Sequence, residues 1–202
     1  MFVDKHPFNS LRLPLIARLF PEAPILFAVR DPRDVVLSCL RRRFDINPVT
    51  FELLTLEGCA RLYSAAMRIS RRTSELTRLR LRLRLVKHEQ LATDFDAEIA
   101  RICAFLGIGP TPAMADFAGR IRARGVNTPS AAQLARGLDV ARLGQWRRYA
   151  AHLEPALPIL APWIERFGYA DGPAGAMAEG SASSPGEISD GLGGRIGRSS
   201  RI

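Results

Sequence analysis

From Pro24 to Val29 the chain reads Pro-Ile-Leu-Phe-Ala-Val, with no polar side chain, and it then breaks into Arg30-Asp31-Pro32-Arg33-Asp34. A short unbroken apolar run bounded by breakers is the pattern of a parallel strand buried on both faces. Helical patterns flank it. Asn9 or Ser10 can cap a helix through about Phe20, with Leu11, Leu15, Ile16 and Leu19 as its apolar stripe, Pro14 in its first turn and Pro21 as its stop. Phe2 to Lys5 reads as the end of a short strand, and a second helix runs from the Asp31-Pro32 turn to about Phe44. Strand, helix, strand, helix predicts an α/β fold: a parallel sheet with flanking helices.

Further along, Phe51 to Leu79 is one long helix or two joined ones, and Leu83 to Lys87 is the next strand. A short helix follows at Glu89–Thr93, then an amphipathic one at Ala97–Leu106 that Gly107 can close. Beyond Pro110 come another helix, a polar loop from Val126 to about Arg142, and two closing helices up to Tyr169. From Asp171 onward Gly, Ala, Ser and Pro dominate, a composition that cannot bury enough apolar surface to fold. The chain therefore divides into a domain over 1–170 and a disordered tail over 171–202.

Lys and Arg outnumber Asp and Glu by 29 to 20, and the net charge of +9 calls for an anionic partner: nucleotide, nucleic acid, acidic protein or membrane surface. Cys39, Cys59 and Cys103 have no metal-ligand spacing, and an odd count argues against a disulfide framework, so they read as buried small hydrophobes. No apolar run approaches the roughly 20 residues that span a bilayer, and Met1 to Lys5 lacks a signal-peptide core, which makes a cytoplasmic protein the default. There is no phosphate-binding glycine loop of the Walker type, no HExxH pair and no nucleophile elbow.

Three segments carry candidate chemistry. Arg30 stands where the apolar strand ends, the edge at which α/β sheets bind ligands. Ser38 and Arg42, four residues apart, share a face of the next helix. A forked donor, a hydroxyl and a second guanidinium suit a phosphate group, although a surface turn with solvated arginines has the same spacing. Lys5, in Asp4-Lys5-His6-Pro7, can set an ammonium against a transferring phosphate or sulfuryl group, or simply be solvated. The polar loop carries Ser130, Gln133, Arg136 and Asp139 and leads to Trp146 and Tyr149, aromatics that either stack on a base or anchor the last helices. The run Arg78 to Leu85 alternates Arg and Leu, so as a strand it would put leucines on one face and arginines on the other. A basic nucleic-acid-binding protein is thus the competing reading, against which stands the lack of aromatics among those arginines.

Together these segments resemble the sulfotransferase superfamily, nearest its protein-tyrosine sulfotransferase branch and the bacterial relatives associated with tetratricopeptide repeats. Asp4-Lys5-His6-Pro7-Phe8 is similar to that family's Lys-x-Pro strand end. Phe20-Pro21-Glu22-Ala23 with Phe27 to Asp34 resembles its second block, Ser38 and Arg42 being in register, and Lys87-His88-Glu89-Gln90-Leu91 resembles its Tyr-Glu-x-Leu element. Ser130 to Trp146 is similar to its nucleotide loop, and Phe167-Gly168-Tyr169 to its usual close. The resemblance implies a P-loop-NTPase-like sulfotransferase fold and a donor, 3′-phosphoadenosine-5′-phosphosulfate (PAPS), from which a sulfuryl group passes to a hydroxyl acceptor, a peptide tyrosine or a small molecule, without a metal. It further implies that Arg30, Ser38 and Arg42 hold the donor's 3′-phosphate, and that Lys5 and Ser130 stabilise charge on the sulfuryl group. His88, Gln133, Asp139 and Gln145 would line the nucleotide. Two positions depart from the family: His88 replaces its usual Tyr, and Gln145 replaces a frequent Lys. The family's first strand, its 5′-phosphosulfate loop and the glutamate that follows find no counterpart ahead of Met1. The expectation is therefore a domain lacking its first strand and loop, with no evident general base.

Overall fold

The sheet is built from β1 (Ile25–Val29) and β2 (Leu83–Lys87), paired in parallel with Ile25 beside Leu83 and Val29 beside Lys87. These come from a computed structural model that describes residues 2–42, 44–76, 81–124 and 137–169. Ahead of β1 lies α1 (Asn9–Leu19), and between the strands run α2 (Pro32–Leu40), a 3-10 turn (Thr50–Leu54) and α3 (Leu56–Leu76). After β2 come α4 (His88–Thr93), α5 (Phe95–Leu106), α6 (Pro112–Ala115) and α7 (Phe117–Arg124). The final stretch holds 3-10 turns at Val140–Arg142, Gln145–Tyr149 and Glu154–Ala156, with α8 (Ala150–Leu153) and α9 (Leu157–Arg166). The mixed α/β class with helices flanking a parallel sheet is the one expected. Segment 171–202, read above as a tail, lies outside the described residues.

Helix α3 is the spine. Its Cys59 and Ala60 pack with Val36 of α2, Leu53, and Ala156 and Leu160 from the closing segment. About two turns along, Met67 meets Val29 of β1 together with Trp163 and Phe167, and the Trp163 indole N–H donates to the buried Ser64 hydroxyl at 3.0 Å. Leu37, Trp146 and Leu153 form a third cluster. The start of α3 allows no side chain at Gly58, where a Cβ would run into the Glu52 carbonyl oxygen.

Several expectations need correction. Phe2 to Lys5 forms no strand, because an extended segment becomes one only beside a hydrogen-bonding neighbour. β1 is not buried on both faces. Phe27 and Val29 pack under α3 and α9, whereas Leu26, on the opposite face, stays 41% exposed. In α1 the buried residues are Leu13 and Ala17, while Leu15 and Leu19 are exposed. The cap is also different: Phe8 precedes the helix with no side-chain cap, and Asn9 instead donates to the Asp4 carboxylate at 3.0 Å. Pro14 lies inside the helix rather than in its first turn. It leaves the Ser10 carbonyl without its usual helical partner, and the Ser70 hydroxyl of α3 donates to that oxygen at 3.3 Å. This bond joins α1 to α3 on the side of the buried Leu13 and Ala17. Finally, α2 stops at Leu40, the Arg42 N–H bonding back to the Cys39 carbonyl in a tightened last turn, so Phe44 lies beyond it.

Candidate functional site

Parallel pairing brings the ends of β1 and β2 to one edge, so Arg30 and His88, the residues that follow Val29 and Lys87, share it. Asp31-Pro32 then starts α2. The Asp31 carboxylate accepts from the Arg33 N–H at 2.9 Å, and Pro32 occupies a first-turn position where no N–H is needed.

Arg30 is partly buried, its side chain 22% exposed. Its Nη2 donates to the Asp34 carboxylate at 2.9 Å and to the Arg142 carbonyl at 2.8 Å, which engages both hydrogens of that nitrogen. Its Nε is buried and has no hydrogen-bond partner among the described residues. A buried guanidinium N–H left open is costly unless something anionic or polar meets it. Asp34 is more deeply buried still, at 1% side-chain exposure, and it also accepts from the Gly144 N–H at 2.8 Å and the Trp146 N–H at 2.9 Å. Gly144 has φ +66°, a left-handed turn that suits glycine.

A second network frames the first. Arg33, 4% exposed in its side chain, grips Asp31 through Nε and Nη2, both at 2.9 Å, and donates to the Tyr169 carbonyl at 2.6 Å. Its guanidinium lies 3.7 Å from the Trp146 ring centroid. Glu89 accepts from the Asp31 N–H at 2.9 Å and from the Tyr169 hydroxyl at 2.6 Å. What delivers Tyr169 is the end of α9: Gly168 sits at φ +68°, its N–H bonds to Glu165 and that of Tyr169 to Ile164, a Schellman turn. Phe167-Gly168-Tyr169 is thus a structural clasp. Burial, then the Glu89 bond, pushes the Tyr169 phenol up, and burial does the same to Tyr63, whose hydroxyl has no partner among the described residues.

His88 is half-buried at the start of α4. Burial lowers its pKa and the nearby Arg30 guanidinium lowers it further, while Glu89 and Asp34 pull the other way. The ring is therefore neutral at pH 7, able to donate one hydrogen bond and accept another. Ser38 is half-buried one helical turn past Asp34. Arg42 falls beyond the end of α2, near enough to Cys39 to oppose the rise that burial imposes on that thiol. Asp139 caps the 3-10 turn by accepting from the Ala141 N–H at 3.1 Å and from Arg142 Nε at 3.0 Å. Gln145, half-buried, opens the next turn. Lys5 is exposed in the stretch ahead of α1, and Ser130 and Gln133 lie outside the described residues. Sequence reasoning gave no role to Asp34 or to the Glu89–Tyr169 bond. The Arg30–Asp34 spacing of four was the available signal for Asp34.

Comparison with known families gives a match to the sulfotransferase family over residues 1–112. The chain belongs to that family. No curated protein matches it. The matched part of this sulfotransferase-family chain contains Lys5, Arg30, Asp34, Ser38, Arg42, His88 and Glu89, and ends before the 137–146 segment that closes over Arg30. Family membership supports sulfuryl transfer as the general activity and a fold of the NTPase-like kind.

The described arginines of the Arg-Leu run are engaged within the domain. Arg84 pairs with the buried Glu98 at 3.4 Å, and Arg82 donates to the Phe105 carbonyl at 2.9 Å. Arg78 and Arg80 lie outside the described residues. Trp146 is buried under Arg33, an anchor for the closing segment rather than a free stacking face. Cys59 and Cys103 are buried and Cys39 half-buried, all three as free thiols. Among the described residues no three His, Cys, Asp or Glu side chains gather as a metal site would require, and no helix is long and apolar enough to cross a membrane.

Proposed function

We propose that this protein is a sulfotransferase that takes PAPS as donor and a hydroxyl compound, protein tyrosine included, as acceptor, with the donor's 3′-phosphate seated at Arg30. The observation that carries the reading is the open, buried Nε of Arg30 at the carboxyl edge of the strands, inside the family-matched region. With Nη2 engaged by Asp34 and Arg142, the phosphate meets the unpartnered Nε–H of Arg30, while the Ser38 hydroxyl and Arg42 contribute from α2 and just beyond it. The neutral His88 ring, beside Arg30, serves as a hydrogen-bonding group to the nucleotide, joined by Gln133, Asp139 and Gln145. In the reaction the acceptor hydroxyl oxygen attacks sulfur in line and gives up its proton to water, the bond from sulfur to the donor's bridging oxygen breaks, and adenosine 3′,5′-bisphosphate leaves. Lys5 and Ser130 stabilise the negative charge that builds on the transferring group and the bridging oxygen.

The test is titration calorimetry with adenosine 3′,5′-bisphosphate and with 5′-AMP, which lacks the 3′ group. The parent should prefer the bisphosphate. Arg30→Ala should lose about 2–5 kcal/mol of its binding, roughly 30-fold or more in affinity. Arg30→Lys should recover only part, because a point charge cannot reproduce the directed N–H donors. Equal affinity for the two nucleotides, or an Arg30→Ala protein that binds like the parent, would remove the assignment.

A further inference from the structure

We infer that Asp34 is the positioning residue of the phosphate site, orienting Arg30 and holding the 142–146 segment against it without touching the ligand. The inference rests on the reading of Arg30 given above. Its basis is that one carboxylate, buried to 1% side-chain exposure, accepts three hydrogen bonds from two places about 110 positions apart in sequence. From four residues upstream, just past β1, comes Arg30 Nη2, and from the closing segment come the Gly144 and Trp146 N–H groups. The same Nη2 also reaches the Arg142 carbonyl, so Arg30, Asp34 and the backbone from Arg142 to Trp146 form a closed ring of bonds.

That ring has two consequences. The guanidinium has a fixed rotation, because its Nη2 has no hydrogen left with which to turn toward another acceptor. Its Nε is left buried and open, aimed by the bonds that hold the other end of the group. Loss of the Asp34 charge therefore frees Arg30 to rotate and releases Gly144 and Trp146 together. Selectivity for a 3′-phosphate then falls, even though Arg30 itself is intact.

The experiment compares Asp34→Asn with Glu98→Gln, each removing a buried carboxylate charge, the latter on α5 and paired with Arg84 of β2 and Arg101 of its own helix. The readout is the ratio of affinities for adenosine 3′,5′-bisphosphate and 5′-AMP, which a loss of stability shared by both variants does not move. The expected result is a fall of at least about tenfold in that ratio for Asp34→Asn, the scale of one charge-assisted contact, and an unchanged ratio for Glu98→Gln. A parent that prefers the bisphosphate and an Asp34→Asn protein with the same preference would overturn the role of Asp34 and leave that of Arg30 standing. A parent with no preference, or no binding, would overturn both. In case Asp34→Asn does not fold, amide hydrogen exchange at Gly144 and Trp146 is followed in the parent. Slower exchange with the bisphosphate and not with 5′-AMP supports the coupling; an equal effect of the two nucleotides, or none, refutes it.

Discussion

Replacing Arg33 by leucine removes the side chain that ties three parts of the domain together. The guanidinium pairs with Asp31 at the start of α2, donates to the Tyr169 carbonyl beyond α9, and covers the Trp146 ring of the closing segment. Its side chain is 4% exposed and that of Asp31 9%, so this is a buried pair, and its loss strands a carboxylate away from water. Breaking such a pair costs about 3–5 kcal/mol, a large part of the roughly 5–15 kcal/mol by which a domain is stable. At about 2–4 °C per kcal/mol for a chain of this size, the melting temperature should fall by roughly 6–20 °C. Substituting Asp31→Asn in the same chain removes the stranded charge and keeps the cap, so the double variant should be more stable than Arg33→Leu alone. Arg61→Ala is the control. Its pair with Glu52 is short, 3.0 Å, but the side chains are 60% and 41% exposed, and solvent screening holds such a pair to about 1 kcal/mol or less. Thermal and urea unfolding of the four proteins measures all of this. A melting temperature for Arg33→Leu within about 2 °C of the parent, or one higher than that of the double variant, would refute the account of Arg33 as the central tie.

Two further outcomes follow from the same structure. Burial and Arg30 hold the His88 pKa below the ordinary value of about 6.5, so the unfolded chain takes up a proton that the folded one resists. The stability from His88 is present above about pH 6.5 and is lost as pH falls from there through the depressed folded value, because the unfolded state binds more protons in that window. His88→Gln should flatten the acid side of the stability profile in urea unfolding between about pH 7 and pH 5; identical profiles would show that His88 is not the group responsible. Gly58→Ala would ordinarily favour a helix by about 0.5–1 kcal/mol, but the Cβ meets the Glu52 carbonyl and the Thr55 hydroxyl. The expected net effect is destabilisation of about 1–3 kcal/mol, and a stabilised variant would contradict the packing described for the start of α3.

Where a structural feature depends on residues near one another in the chain, the sequence alone determined it. The strand Leu83–Lys87 has the bounds read for it, Gly107 closes α5 in a left-handed turn, and Asp31-Pro32 opens a helix, since caps and short apolar patterns act within a few residues. Arg30 was legible for a similar reason: it follows an apolar run at the edge where parallel strands end. The Leu11–Leu19 stripe failed because α1 has apolar residues on more than one side, and the contact with α3, marked by the Ser70 bond to the carbonyl that Pro14 frees, selects Leu13 and Ala17. The partners of Arg30 and Asp34 were beyond reach for a different reason. They are the carbonyl of Arg142 and the N–H groups of Gly144 and Trp146, and every residue but proline carries such groups, so side-chain identity gives no sign of which will be used. Only the tertiary structure, by folding the closing segment back over α2, decided that these backbone groups meet a buried carboxylate and an arginine whose Nε–H is left without a partner among the described residues.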